Sequence, residues 1–232
     1  MPVIIFDSVI GAGKSTYANR LHEELGTQIF LESVETNPIL ERYYSDKEKY
    51  GFLLQIYFLN ERFGQIKQGY RTRNAIIDRA IFTDQLFTYV NYINGNLSKE
   101  EYDTYCNLLD NMMEELEFFP EYKKNPDLLV YLDITFENEM KNISKRGRGF
   151  EQVVDDEGNI VDEAQYNYFK QLYEAYEYWI GKKVDHTGNI KPYDKSPVLI
   201  IDAEKYDVVN SEDDWNEVYN IIENKLKELG LI

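Results

Sequence analysis

One stretch limits what this chain can fold into more than any other: Val3-Ile4-Ile5-Phe6-Asp7-Ser8-Val9-Ile10-Gly11-Ala12-Gly13-Lys14-Ser15-Thr16. An apolar run of strand character enters a loop with two glycines, and Lys-Ser-Thr then opens a helical pattern that continues to Leu25. That order of strand, glycine loop and helix is what a phosphate-binding loop requires. Backbone N–H groups curl around an anion at a helix N-terminus, with Lys14 on the phosphates and the Ser15 hydroxyl on Mg²⁺. Gly11, Ala12, Gly13, Lys14, Ser15 and Thr16 are therefore the candidate anion site. Ser8 stands where the G-x-x-x-x-G-K-[ST] pattern has its first glycine, while Gly11 and Gly13, the neighbours of the anion, are both present. A plain glycine turn followed by an exposed lysine would not account for the order of the elements.

Along the rest of the chain, short apolar runs alternate with helical patterns. Gly26 stops the first helix, and Thr27 to Leu31 reads as a second buried strand ending at Glu32. Ligands of open α/β sheets sit beyond the carboxyl ends of the strands, so chain order alone puts Glu32 on the phosphate-loop side. Pro38 starts a short helix through Tyr44. Lys47 to Tyr70 is a long helical candidate in which Gln55, Phe58 and Arg62 fall at i, i+3 and i+7 and so share a face. The structural alternative is a solvated polar stripe with one buried Phe. Ala75-Ile76-Ile77 is a third strand, ending at Asp78-Arg79. A helix from about Ala80 to Tyr92 follows, closed by Asn94-Gly95-Asn96. Leu97-Ser98-Lys99-Glu100-Glu101 reads as a capping signal for the next helix, which runs through Met113 and Leu116.

Pro126 to Asp133 is the fourth strand, and a helix from Phe136 leads into Lys145-Arg146-Gly147-Arg148-Gly149-Phe150-Glu151. This basic, glycine-punctuated cluster reads either as a helix end favoured by its dipole or as an arginine lid over a phosphoryl group, at about 142–152. Asp155-Asp156-Glu157-Gly158-Asn159 fails the spacing of a twelve-residue calcium loop and reads as a turn. Ala164 to Ile180 is an aromatic-rich helix, and Gly181 to Pro197, with His186, a polar surface excursion. Val198 to Asp202 is the fifth strand and Trp215 to Leu229 the last helix. No repeat, low-complexity stretch or linker interrupts residues 1–232, so the expectation is one α/β domain: a five-stranded parallel sheet flanked by helices on both faces.

Composition excludes several classes of function. A formal net charge of −17 argues against a nucleic-acid or anionic-membrane partner. The lone Cys106 excludes an intrachain disulfide and a cysteine-rich metal site. No apolar run approaches the ~18 residues of a membrane span, and no secretory segment is evident, so the expectation is a soluble, cytoplasmic protein.

At this point the residues resemble those of the deoxyribonucleoside kinases, which include deoxycytidine, deoxyguanosine and bacterial deoxyadenosine kinases. The resemblance spans nearly the whole chain and rests on landmarks in order. These are the phosphate loop; Leu31-Glu32-Ser33-Val34-Glu35; Tyr44, then Phe52-Leu53-Leu54-Gln55 through Arg62; Asp78-Arg79-Ala80; Pro126-Asp127-Leu128; and the cluster from Lys145 to Glu151. It implies a P-loop kinase fold, ATP as donor and a homodimer.

Residue by residue, the resemblance implies that Glu32 takes the proton from the nucleoside 5′-hydroxyl. Arg79 would hold that oxygen and the phosphoryl group, with Asp78 at or near Mg²⁺. Gln55 would bond the base edge, Tyr44 and Glu151 the sugar 3′-hydroxyl, and Arg146 and Arg148 would act from the lid. Asp202 to Tyr206 would lie beside the donor's adenine. An Arg and an Asp at the positions of Arg62 and Asp84 accompany purine and deoxycytidine use in these kinases. That points to deoxyadenosine first and thymidine poor; Phe58 would wall or stack on the base. Ser8, Ser33 and Asn142 depart from the family pattern, the last replacing a lid arginine.

Physical reasoning agrees, since phosphoryl transfer needs positioning and charge neutralisation. Glu35 and Glu41 are rivals to Glu32 as base, but both fall further along the chain. Two other readings compete. One is a thymidylate-type monophosphate kinase, whose acceptor would need further arginines from among Arg42, Arg62, Arg71, Arg73 and Arg79. The other is a non-catalytic nucleotide-binding relative.

Overall fold

The computed structural model describes residues 2–232 except 33, 35, 120, 121, 124 and 156. Ser33, Glu35 and Asp156, raised above, therefore lie outside the described residues.

Five strands, β1 (Val3–Asp7), β2 (Gln28–Phe30), β3 (Ala75–Asp78), β4 (Leu128–Asp133) and β5 (Val198–Asp202), form one sheet in the order β2-β3-β1-β4-β5. Every pairing is parallel, with Ile4 opposite both Ile76 and Leu128. A strand covered on both faces reads as a continuous apolar run rather than an alternation. β1 and β3 fit this description: every residue of each is buried. The fold is the expected α/β one, a five-stranded parallel sheet flanked by helices. β2 is shorter than expected, with Thr27 and Leu31 outside the ladder.

The helices are α1 (Lys14–Leu25), α2 (Leu40–Ser45), α3 (Lys47–Thr72), α4 (Ile81–Ile93), α5 (Lys99–Glu117), α6 (Phe136–Arg146), α7 (Glu163–Trp179) and α8 (Glu212–Glu228). Local signals set most of their ends. Ser98 and Glu101 form the expected capping box at α5, and Asp46 caps α3 through the Lys49 N–H. Gly147, at φ 72, closes α6 and hands the chain to the arginine cluster. α8 begins three residues earlier than expected because Ser211 accepts a hydrogen bond from the Asp214 N–H.

The main core joins the sheet to α1, α4, α5, α7 and α8, and a smaller cluster of Leu40, Tyr43 and Leu54 lies between α2 and α3. The stretch from Gly181 to Pro197 is not simply a surface excursion. His186 is exposed, but Tyr193 donates its N–H to the Trp179 carbonyl at 2.7 Å, its ring lies 4.9 Å from Trp179, and Ile190 is buried. Asp155 makes the expected turn, its carboxylate accepting from the N–H groups of Glu157 and Asn159. Among the described residues no helix is long and apolar enough to cross a membrane.

Candidate active site

A cavity of about 610 Å³ opens beyond the carboxyl ends of the central strands, between the loop after β1, the inner faces of α3 and α4, and the segment after α6. Its floor is the phosphate loop. Gly11 has φ +80, and a Cβ there would come within 3.3 Å of the Asn142 Cβ and 3.4 Å of the Glu139 carbonyl oxygen, so only glycine fits. Gly13 also has positive φ and starts α1. Lys14 is buried, its ammonium donating to the carbonyls of Val9 (2.7 Å) and Ser8 (3.2 Å). Burial, helped by the Arg79 charge, brings the Lys14 pKa down to about 8. Ser8 needs no glycine geometry: its hydroxyl donates to the Leu132 carbonyl on β4 at 2.5 Å.

The Ser15 hydroxyl donates to Asp78 Oδ2 at 2.5 Å, and Asp78 Oδ1 is buried with no hydrogen-bond partner among the described residues. A hydroxyl beside a carboxylate with an orphaned oxygen is a hard-oxygen donor set that fits Mg²⁺. Among the described residues no three acidic, His or Cys side chains gather as a metal cage.

Glu32, just past β2, sits between two arginines, with Arg62 Nη2 at 2.6 Å and Arg79 Nε at 3.4 Å. Burial alone would raise its pKa. Arg79, Arg62 and Lys14 outweigh that and hold it down to about 2. Arg62 also donates from Nε to Asp84 at 2.5 Å. Burial raises the Asp84 carboxyl to about 6 against the pull of Arg62 and Arg79. Gln55 and Arg62 are each only 3 % exposed, so the α3 stripe is not a solvated face. Gln55, Phe58, Arg62 and Asp84 all line the cavity, with the Arg62 guanidinium 5.6 Å from the Phe58 ring centroid.

On the opposite wall Glu151 accepts from Arg146 at 2.7 Å and pairs with Arg148 at 3.7 Å. The neighbouring Phe150 stacks on Tyr44 at 5.0 Å. The expected sugar pair, Tyr44 and Glu151, and the lid arginines are thus in one place. Asn142, one of the three departures from the pattern noted above, donates to the Gly11 carbonyl at 2.9 Å and ties α6 to the phosphate loop. Thr16 lines the cavity, whereas Ala12, Asp202 and Tyr206 do not. The last two lie at the carboxyl end of β5, where Tyr206 donates to Glu217. Glu41 is exposed.

Several further residues line or support the cavity. Asp7 ends β1, fully buried, and accepts from the Ser8 N–H, the Ala80 N–H and the Thr83 hydroxyl. Tyr176, Tyr168 and Phe87 belong to the site or its immediate support. Tyr168 and Phe87 line the cavity, and the Tyr176 hydroxyl accepts from Arg79. Tyr168 is braced through Asn91, which also accepts from the Tyr43 hydroxyl. Glu139 is buried beneath the loop, and burial pushes its pKa well above the ordinary range against the pull of Lys14, Arg79 and the Ile10 N–H. A carboxylate closing an apolar strand was a readable signal for Asp7. The tyrosines were lost among 20 of their kind.

A family model described as deoxynucleoside kinase matches residues 4–227. A deoxyguanosine kinase of Lactobacillus johnsonii is 44 % identical over 99 % of this chain and 95 % of its own length. A deoxyadenosine kinase of Lactobacillus acidophilus is 38 % identical over 98 % of each chain. A solved structure of the M. mycoides deoxyadenosine kinase with bound dATP is 30 % identical, covering 95 % of this chain and 99 % of that one with a TM-score of 0.72. With the phosphate loop, the buried carboxylate and its arginines in one cavity, these matches place the chain in the deoxynucleoside kinase family, as a kinase acting on an alcohol acceptor.

Proposed function

We propose that this chain transfers the γ-phosphoryl group of ATP to the 5′-hydroxyl of a purine deoxynucleoside, deoxyadenosine first. The observation that carries the reading is the position of Glu32. It lines one cavity together with Lys14 and Ser15 of the phosphate loop and with Gln55, Phe58 and Asp84, the candidate base-binding side chains. An acceptor lying across that cavity would bring its 5′-oxygen to Glu32 and Arg79.

Glu32 takes the hydroxyl proton as O5′ bonds to the γ-phosphorus and the bond to the β–γ bridging oxygen breaks, releasing ADP. A carboxylate held near pKa 2 is a weak base, so it acts by position as the proton becomes acidic late in a loose transfer. Lys14, Arg79, Arg146 and Arg148 offset charge on the donor and the moving group. Mg²⁺, held by Ser15 and Asp78, would neutralise the phosphate oxygens. Tyr44 and Glu151 hold the sugar 3′-hydroxyl, and Asp202 and Tyr206 lie along the path of the donor's adenine.

Base choice follows from polarity. The Arg62–Asp84 pair and the Gln55 amide offer donors and acceptors to a polar base edge. A thymine 5-methyl would press on buried charge. Deoxyguanosine is the second reading, supported by the 44 % identity to a deoxyguanosine kinase. A monophosphate acceptor is disfavoured because Arg42, Arg71 and Arg73 are exposed and outside the cavity wall. As the resemblance implies, the chain would work as a homodimer; a monomer in sedimentation at working concentration would contradict that.

Glu32→Gln tests the central assignment. It keeps the shape and removes the proton acceptor, so kcat is expected to fall about 10²–10⁴-fold while the nucleoside Kd changes little. Lost binding with unchanged kcat would make Glu32 a recognition residue instead.

A further inference from the structure

Arg79 has an unusual backbone. Its φ of 82 is one of two positive values at non-glycine residues among the described residues, and such a conformation stands only where its surroundings enforce it. Two main-chain bonds do so: Arg79 N–H to the Phe6 carbonyl at 2.8 Å, and Ala80 N–H to Asp7 Oδ2 at 2.7 Å. The guanidinium is then fixed on three sides. Its Nε faces Glu32 at 3.4 Å, the Phe87 ring covers one face at 4.9 Å, and Nη1 donates to the Tyr176 hydroxyl at 2.5 Å.

Tyr176 is itself immobilised. It is fully buried on α7, packed edge-on against Phe87 and Trp179, and its hydroxyl donates to Asp7 Oδ1 at 3.3 Å. One buried carboxylate therefore orients the first residue of the phosphate loop, the turn that carries Arg79 and, through Tyr176, the Arg79 guanidinium.

This arrangement addresses a difficulty in the proposed chemistry. A base and a phosphate-binding arginine of opposite charge, buried side by side, gain most by closing into a tight bidentate pair. Such a pair would occupy the Glu32 lone pairs and the arginine donors together. Arg79 instead makes only a long contact through one nitrogen, Nε donating to Glu32 Oε2 at 3.4 Å and lying 3.4 Å from Oε1, while Arg62 comes to 2.6 Å of the same carboxylate.

We propose that Tyr176, anchored by Asp7, is a positioning residue for phosphoryl transfer that holds the Arg79 guanidinium back from Glu32 and aims it at the transferring group. The proposal rests on the roles given above to Arg79 and Glu32. Tyr176 touches no reacting atom; it acts through Arg79.

The test is Tyr176→Phe, which removes one oxygen, measured in the parent and in an Arg79→Lys background. The expected result is a roughly tenfold fall in kcat with the nucleoside KM within twofold of the parent, because the base contacts come from Gln55, Arg62 and Asp84. In the Arg79→Lys background the same substitution is expected to change kcat less than twofold, since its target is gone. An unchanged kcat in Tyr176→Phe, with Arg79→Lys damaged, overturns the proposal and leaves the Arg79 role standing. Equal losses in both backgrounds also overturn it, by showing that Tyr176 acts elsewhere. A near-normal Arg79→Lys would defeat the Arg79 role and the proposal together. If Tyr176→Phe does not fold, NMR of the unmodified protein decides. Separate, slowly exchanging Nη–H signals for Arg79, assigned by their loss in Arg79→Lys, are expected, and one averaged signal contradicts a held guanidinium.

Discussion

Lys14, Glu32 and Asp84 are charged groups of one cavity whose proton affinities are displaced in different directions, and each displacement has its own consequence. If Lys14 holds the donor phosphates as proposed, they favour its charged form and would raise its pKa from about 8. Donor affinity is therefore greatest below pH 8 and weakens as pH rises through that value. Equilibrium binding of ATP across pH 7 to 9.5 checks this, and Lys14→Arg, which stays charged, should flatten the dependence. Glu32 has its pKa lowered from 4.5 to about 2, so it contributes stability present above 4.5 and lost as pH falls through 2. It stays ionised throughout the working range and supplies no acid limb to kcat/KM. Asp84, raised to about 6, does. Its protonation weakens one of the two carboxylate contacts of Arg62, the other being Glu32, so kcat/KM should bend downward below about pH 6 and Asp84→Asn should lose that bend. Glu32, Asp78 and Arg79 were legible as strand ends and Gln55, Phe58 and Arg62 as one helical face, and all six line the cavity. The Arg79 conformation was not, since a positive φ at an arginine is imposed by Asp7 and Phe6 from other parts of the chain.

In the proposed mechanism the rate depends most on two elements, the phosphate loop and the arginine cluster after α6. Ser8 replaces a glycine, yet its buried hydroxyl fastens the loop to β4. Ser8→Gly should therefore cost about 1–2 kcal/mol, from one lost buried hydrogen bond and added chain entropy. Thermal melting should show a drop of roughly 2–8 °C with kcat nearly unchanged. In the lid, Arg148→Ala is expected to lower kcat more than ATP affinity, because charge on the moving group peaks in the transition state. Glu151→Ala should raise the nucleoside KM and weaken discrimination against 2′,3′-dideoxynucleosides; steady-state kinetics with both sugars checks it. Helix ends were legible where a local cap was recognised, as at Ser98, and missed where one was overlooked, as at Ser211. The contacts of α7 with the cavity carry no local sequence signal for a different reason. Tyr168 and Tyr176 lie eight residues apart among core residues, and only packing against Asn91, Phe87 and Asp7 distinguishes them from ordinary core aromatics.

Across the whole molecule, one sheet brings the ends of β1, β2 and β3 to a single crevice, so residues 7, 32 and 78–79 meet despite their separation in the chain. The sheet and its parallel sense were legible from buried apolar runs alternating with helical patterns, since such runs need a covering on both faces. The anchoring of the 181–197 segment was not, because Tyr193 and Ile190 join the core singly, without periodicity. We propose that all 232 residues form one cooperative unit. Calorimetry should then show a single transition, and two resolved transitions would contradict it. The proposed activity, a purine deoxynucleoside 5′-kinase, is tested most directly by a phosphate-transfer panel. Labelled ATP is offered with deoxyadenosine, deoxyguanosine, deoxycytidine, thymidine and dTMP, and kcat/KM is measured for each. The expected result is 5′-monophosphate products, with deoxyadenosine highest, deoxyguanosine or deoxycytidine next, thymidine poor and dTMP inert. Thymidine or dTMP as the best acceptor would contradict it.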